Sequence, residues 1–165
     1  MSTTKLSRRD AGAFLAGLLM TVGLALSPAA IARAPSILPT EPLTIVTASG
    51  RHSFVVEVAR SQEEQALGLM GRRYLPADRG MIFDYTDAQP VAMWMENTFI
   101  SLDMLFVDAQ GRIVRIAERT EPLSRRIIPS GGPVRAVIEL NAGTAARIGA
   151  AVGDSVELSF IAPGR

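Results

Sequence analysis

The residues of this chain that could do chemistry are polar groups set among apolar ones. Asp103 stands between Leu102 and Met104 in the run Leu-Asp-Met-Leu-Phe, and a carboxylate buried there must find hydrogen-bond donors. One reading makes Asp103 structural, accepting from backbone N–H groups around Asn97 and Thr98 or pairing with Arg72 or Arg73. The other makes Asp103 and Glu96 a carboxylate pair for acid–base or glycosidic chemistry, in which burial raises the pKa of one member. Trp94 is the only tryptophan. It suits either a stacking platform for a sugar or peptide side chain, or a core position with its N–H bonded. Met93 and Met95 point to the opposite side of the same strand, so one side is core and the other a groove. Asn97-Thr98 reads as a tight turn in which Asn supplies left-handed backbone or a side-chain bond.

Further constellations are open to two readings each. The thioethers of Met93 and Met95 on one strand face have the softness that Cu(I) prefers, but Met is also a flexible core filler. Arg72, Arg73 and Arg79, with Arg125 and Arg126, read as an anion or carboxylate site or as solvated faces. His52 borders a hairpin turn; no Gly-x-Ser-x-Gly elbow accompanies it, so a serine triad lacks its nucleophile context.

Composition closes other routes. The chain has 165 residues, with 17 Lys+Arg against 16 Asp+Glu, one His and no Cys. Without Cys there is no disulfide, iron–sulfur cluster, thiolate zinc site, cysteine nucleophile or lipobox anchor, and one His rules out a multi-histidine metal site within a single chain. Nothing in the sequence calls for a cofactor or a metal. Residues 1–34 read as a secretory signal: Lys5, Arg8 and Arg9 precede a stretch, Ala11 to Ala32, without any charge, and small residues follow. Cleavage after Ala32 is favoured over cleavage after Ala34, because Pro35 would follow the second cut and fits a protease's extended site poorly. An uncleaved anchor is the competing reading, weakened by Gly12, Gly17, Gly23 and Pro28. Ser7-Arg8-Arg9-Asp10 hints at twin-arginine export. Without the first 34 residues, 13 basic side chains face 15 acidic ones. The basic excess thus belonged to the signal, and the domain lacks the charge that a nucleic-acid partner would need. The expected location is periplasmic or secreted.

The elements that position these residues are short. Pro35, Pro39 and Pro42 make residues 35–42 a Pro-rich lead-in, and one domain spans residues 43–165. Leu43–Thr47, Ser49-Gly50 and Phe54–Val58 predict a hairpin. Ser61-Gln62-Glu63-Glu64 is a capping box that opens a short helix ending by Gly71, with Ala66, Leu67 and Met70 toward the core. Strands are predicted at Met81–Tyr85, Val91–Met95, Leu102–Val107 and Arg112–Ala117. A long irregular loop, Glu121 to Pro133, follows. In the next strand Val134, Ala136, Ile138 and Leu140 alternate with Arg135, Val137 and Glu139. A helical turn over Thr144–Ile148 and a last strand near Val156–Phe160 complete the chain. About eight strands and one or two short helices make the class mainly β, an antiparallel β-sandwich or partly closed barrel, jelly-roll-like.

Gly68-Leu69-Met70, Gly80-Met81-Ile82-Phe83, Trp94-Met95-Glu96-Asn97-Thr98 and Leu102-Asp103-Met104-Leu105-Phe106 occur in this order, followed by Ile138-Glu139-Leu140-Asn141-Ala142-Gly143 and Gly153-Asp154. Together they resemble the domain-of-unknown-function family 192 over Ser53 to Leu158. The resemblance implies a compact β-rich domain, commonly behind a signal sequence, with no established activity to carry over. Glu96 stands where the family usually shows a lysine. The expected function is therefore binding rather than catalysis: a module for a small ligand in the cell envelope, with Trp94, Asn97, Asp103, Arg72 and Arg73 around a groove bordered by Trp94–Asp103 and the Glu121–Pro133 loop. The alternatives are a carbohydrate or cell-wall hydrolase using Asp103 and Glu96, an interaction module for an envelope protein, and a Cu(I)-binding periplasmic protein.

Overall fold

The computed structural model describes residues 38–161, so the signal read over 1–34 and the first part of the lead-in lie outside the described residues. Strands β1 (Thr40–Thr47) and β2 (Gly50–Ala59) form the expected hairpin, with Thr47 opposite Gly50. Regular structure begins at Thr40, ahead of the expected Leu43, and Pro42 already lies opposite Val55. Helix α1 (Gln62–Leu67) carries the expected capping box: Ser61 Oγ accepts from the Glu64 N–H, and the Glu64 carboxylate accepts from the Ser61 N–H. Five strands and one helix follow: β3 (Arg79–Met93), β4 (Leu102–Val107), β5 (Ile113–Ala117), β6 (Ile128–Asn141), α2 (Thr144–Ile148) and β7 (Ser155–Glu157).

The strands form one sheet in the order β5-β4-β6-β3-β2-β1-β7. Its edges approach each other, since Arg112 bridges Ser155 and the Ile113 N–H donates to Asp154 O at 2.9 Å. The sheet thus curls into the partly closed barrel expected from the strand pattern. The pairing departs from a wholly antiparallel one at β2 and β3, which run parallel from Val55 opposite Arg79 to Ala59 opposite Phe83. The segment containing α1 makes this possible, because a parallel pair needs a crossover long enough to return to the same end of the sheet.

Two predicted strands merge: Met81–Tyr85 and Val91–Met95 belong mostly to one long β3, irregular between Asp84 and Gln89 and between Pro90 and Ala92. Its partner β6 begins at Ile128, inside the segment expected to be loop. Pro90 faces Pro133 and Ala92 faces Pro129, so prolines that lack a ladder donor are gathered at the irregular end of the pair.

Both faces of the sheet's centre are covered. Leu43, Ile45, Val56, Ile82, Leu105, Ile138 and Val156 fill the inside of the curl together with Ile148 of α2. Met81, Phe83, Met104, Phe106 and Val137 on the outer face pack under Leu69 and Leu75 from the α1–β3 connection and under Met93 and Met95. Gly80 is required where β3 meets β6: a Cβ there would lie 2.5 Å from Glu139 O. The helix does not dock as expected. None of its residues is buried, and Leu67 is 48% exposed, while Leu69 just beyond it enters the core. The reason lies in Gly68, which ends α1 after fewer than two turns at φ 46°; a Cβ there would come within 3.1 Å of the Phe83 ring. Among the described residues no helix is long and apolar enough to cross a membrane.

Candidate functional site

Because α1 ends early and stands off the sheet, a cavity of about 250 Å³ remains between the helix and the outer face of β3 and β6. Ala66, Leu67, Leu69 and Met70 form its helix side, Phe83, Tyr85, Ala92 and Met93 its sheet side, and Trp94 and Thr98 its rim toward the β3–β4 loop. Trp94 is 41% exposed. It is therefore a wall of an open site and not a core tryptophan. Among the described residues no Arg or Lys lines the cavity.

Glu139 of β6 is the single carboxyl among the described residues that lines it. The residue is 4% exposed, with Met81 opposite it on β3 and Met104 opposite it on β4. No hydrogen bond or ion pair reaches this carboxyl from any described residue, and among the described residues no buried side-chain oxygen is sealed away without a partner, so the group opens on the cavity. Burial raises its pKa from the ordinary 4.5 to about 8. With no cation beside it Glu139 thus holds its proton at neutral pH, able to donate an O–H bond to an uncharged acceptor or to ionise beside an incoming cation. Tyr85 is pushed up to about 12, by its own burial first and by the Glu139 charge second. Its hydroxyl meets Met93 Sδ at 3.5 Å.

Local bonds hold the walls. Gln65 Nε2 donates to Asp84 O at 2.8 Å and ties α1 to β3, while the Gly71 N–H donates to Asn97 O at 2.9 Å and joins the turn after α1 to the Trp94 loop. Asn97 has the left-handed backbone expected of it, at φ 56°. Thr98 is buried, and its hydroxyl donates to Glu96 O at 3.3 Å.

Of the sequence-predicted site residues, Trp94 lines the cavity and Asn97 braces it from behind. Arg72 instead chelates Glu57 at 2.5 and 2.6 Å, and Arg73 lies over the Phe99 ring at 4.6 Å. Arg125 pairs with Glu96 at 3.1 Å, so the expected arginine anion site is dispersed. Asp103 is fully buried, but its donors are not those expected near Asn97 and Thr98 or on Arg72 and Arg73. Its oxygens accept the N–H groups of Arg119 and Ala145, each at 2.8 Å. The first holds Arg119 in left-handed backbone at φ 49°, and the second satisfies a free N–H in the first turn of α2. Asp103 and Glu96 share no contact, so the carboxylate pair that glycosidic chemistry needs is not assembled from them.

The two methionine sulfurs also part company: Met93 Sδ takes the Tyr85 hydroxyl, whereas Met95 Sδ takes Thr120 Oγ1 at 3.1 Å. His52 Nε2 lies 2.9 Å from Ser49 Oγ, but that hydroxyl donates to Ile148 O at 2.6 Å, and no carboxylate of the described residues bonds the imidazole. The Glu121–Pro133 loop contributes nothing to the cavity; α1 takes the place expected for it. Glu139 itself is missed by strand alternation, which assigns it to the side away from Ile138 and Leu140 and does not show that this side is covered too.

Residues 44–158 match the model of the domain-of-unknown-function family 192, whose description is "Uncharacterized ACR". The chain belongs to this family. Within family 192 terms, the cavity is built from the Gly68-Leu69-Met70, Trp94-to-Thr98 and Ile138-Glu139-Leu140 segments together. Two solved structures are similar. One is a proposed transcription regulator from Sinorhizobium meliloti 1021, 43% identical at a TM-score of 0.73, covering 75% of this chain and 97% of its own. The other is a protein of unknown function from Novosphingobium aromaticivorans DSM 12444, 42% identical at a TM-score of 0.72, covering 77% and 94%. Among curated proteins, none matches this family 192 chain.

Proposed function

We propose that this protein is a small-ligand-binding module of the cell envelope, delivered there by the signal segment 1–34, and that the cavity between α1 and the sheet is its ligand site. The observation that carries the reading is Glu139: a carboxyl buried without a donor, opening on an otherwise mainly apolar cavity. A buried polar group without a partner costs stability, and its retention fits a site whose partner arrives from outside. The volume suits a small molecule or one large side chain rather than a polymer. The regulator named for the Sinorhizobium relative does not lead us to a DNA-binding role here, because residues 35–165 carry no basic excess over their 15 acidic side chains.

A thermal-shift panel of small apolar-bodied amines, alcohols, amides, carboxylates and sugars tests this. At least one class raises the melting temperature of the protein, and the shift disappears in Ala66→Phe, which places a ring from the exposed helix face into the cavity. A panel without any shift, or a shift that survives in Ala66→Phe, overturns the reading.

A further inference from the structure

We propose that the ligand of this cavity is a cation, a small amine with an apolar body whose ammonium group pairs with Glu139. This rests on the cavity being a ligand site and goes on to name the ligand's chemistry.

Four observations converge. Glu139 is a buried carboxyl that no described residue bonds, and it faces the cavity. Among the described residues no Arg or Lys lines the cavity, so a cation must come with the ligand if Glu139 is to ionise there. The rings of Phe83, Tyr85 and Trp94 line the same space, and aromatic faces attract ammonium groups through the negative charge of their π surfaces. Apart from the amides of Gln62 and Gln65 and the Thr98 hydroxyl, the remaining walls are apolar, as at Ala92 and Met93, and suit the carbon body of such a molecule. A carboxylate or phosphate ligand meets the opposite situation, with one acidic group and no counter-charge.

An uncharged ligand with a carbonyl is the competing occupant, since neutral Glu139 can donate one hydrogen bond. It would leave the aromatic walls without a charge to stabilise. The other groups facing Glu139 do not compete for a proton near neutrality. Tyr85 of β3 is pushed up to about 12, α1 presents the amides Gln62 and Gln65, the loop presents the Thr98 hydroxyl, and β4 places Met104 opposite.

Calorimetric titration with three probes of one shape decides this: benzylamine, benzyl alcohol and benzoate, at pH 7. Benzylamine is expected to bind at least tenfold tighter than benzyl alcohol, and benzoate not at all. In Glu139→Gln the amine falls to the affinity of the alcohol, while the alcohol keeps its own. Because buried Glu139 holds its proton when no cation is bound beside it, amine binding also releases close to one proton, measured from the dependence of the heat on buffer ionisation enthalpy. That readout uses the unaltered protein and stands even if Glu139→Gln fails to fold. If benzyl alcohol binds as tightly as the amine, if the amine keeps its affinity in Glu139→Gln, or if no proton is released, the cation assignment falls and the ligand site remains. If none of the three binds and the broader thermal-shift panel is silent as well, both fall together.

Discussion

Replacing Glu139 with Gln keeps the shape of the side chain and removes its titration, which isolates the energy of a carboxyl buried without a partner. The folded-state pKa of Glu139 is about 8 against 4.5 when exposed, so the folded protein binds a proton more tightly than the unfolded chain. For a raised pKa the contribution to stability is complete below pH 4.5 and is lost as pH rises through about 8. Each unit of pKa shift is about 1.4 kcal/mol, so integrating between pH 5 and pH 8 gives a loss of about 3 to 4 kcal/mol attributable to this one group. Glu139→Gln escapes that loss. Urea unfolding of both proteins at pH 5, 6, 7 and 8 therefore shows the variant gaining on the parent by about 3 kcal/mol across the range, whatever the offset at pH 5. A difference in unfolding free energy that stays flat from pH 5 to pH 8 refutes the reasoning, because it means that the Glu139 carboxyl is solvated or paired in the folded state.

Two further substitutions test the frame around the cavity. Asp103→Asn leaves one of the Arg119 and Ala145 N–H groups facing an amide NH₂ in a fully buried place, and costs about 3 kcal/mol in urea unfolding; unchanged stability would mean that these bonds do not hold the Arg119 corner and α2. Gly80→Ala drives a Cβ to 2.5 Å from Glu139 O and into the Leu140 side chain, so β3 and β6 must separate. It lowers stability by about 3 kcal/mol or prevents folding, read as a fall in melting temperature or loss of soluble protein, and a parent-like melting temperature would contradict the close register.

What was legible in the sequence follows from how local each rule is. The hairpin and the Ser61–Glu64 capping box depend on residues a few positions apart, and both form as expected. The burial of Asp103 shows in its apolar neighbours, but its donors come from Arg119 and Ala145, which only the three-dimensional path of the chain brings near. The merging of two strands into β3 is hidden by the irregular stretch between Asp84 and Ala92, which reads as a break. Alternation alone does not single out Glu139, because it separates the two faces of β6 without showing that both are covered. The uninterrupted burial of Leu102 to Val107 in β4 implies cover on both faces, and β6 pairs with β4 from Asn141 to Ala136. An acidic residue in the stretch of β6 from Ala136 to Leu140 is therefore buried whichever way it points. The unexpected exposure of Ala66 and Leu67 has the same origin as the cavity, since Gly68 ends the helix before it can lay a face on the sheet.

The central claim, that a ligand occupies the space between α1 and the sheet, is tested most directly by the methyl NMR signals of the methionines during a titration with benzylamine. Met70 and Met93 line that cavity, whereas Met95 and Met104 are buried outside it. The expected result is movement of the Met70 and Met93 signals together with the Trp94 indole, while Met95 and Met104 stay still; saturation that leaves Met70 and Met93 unmoved would contradict the account.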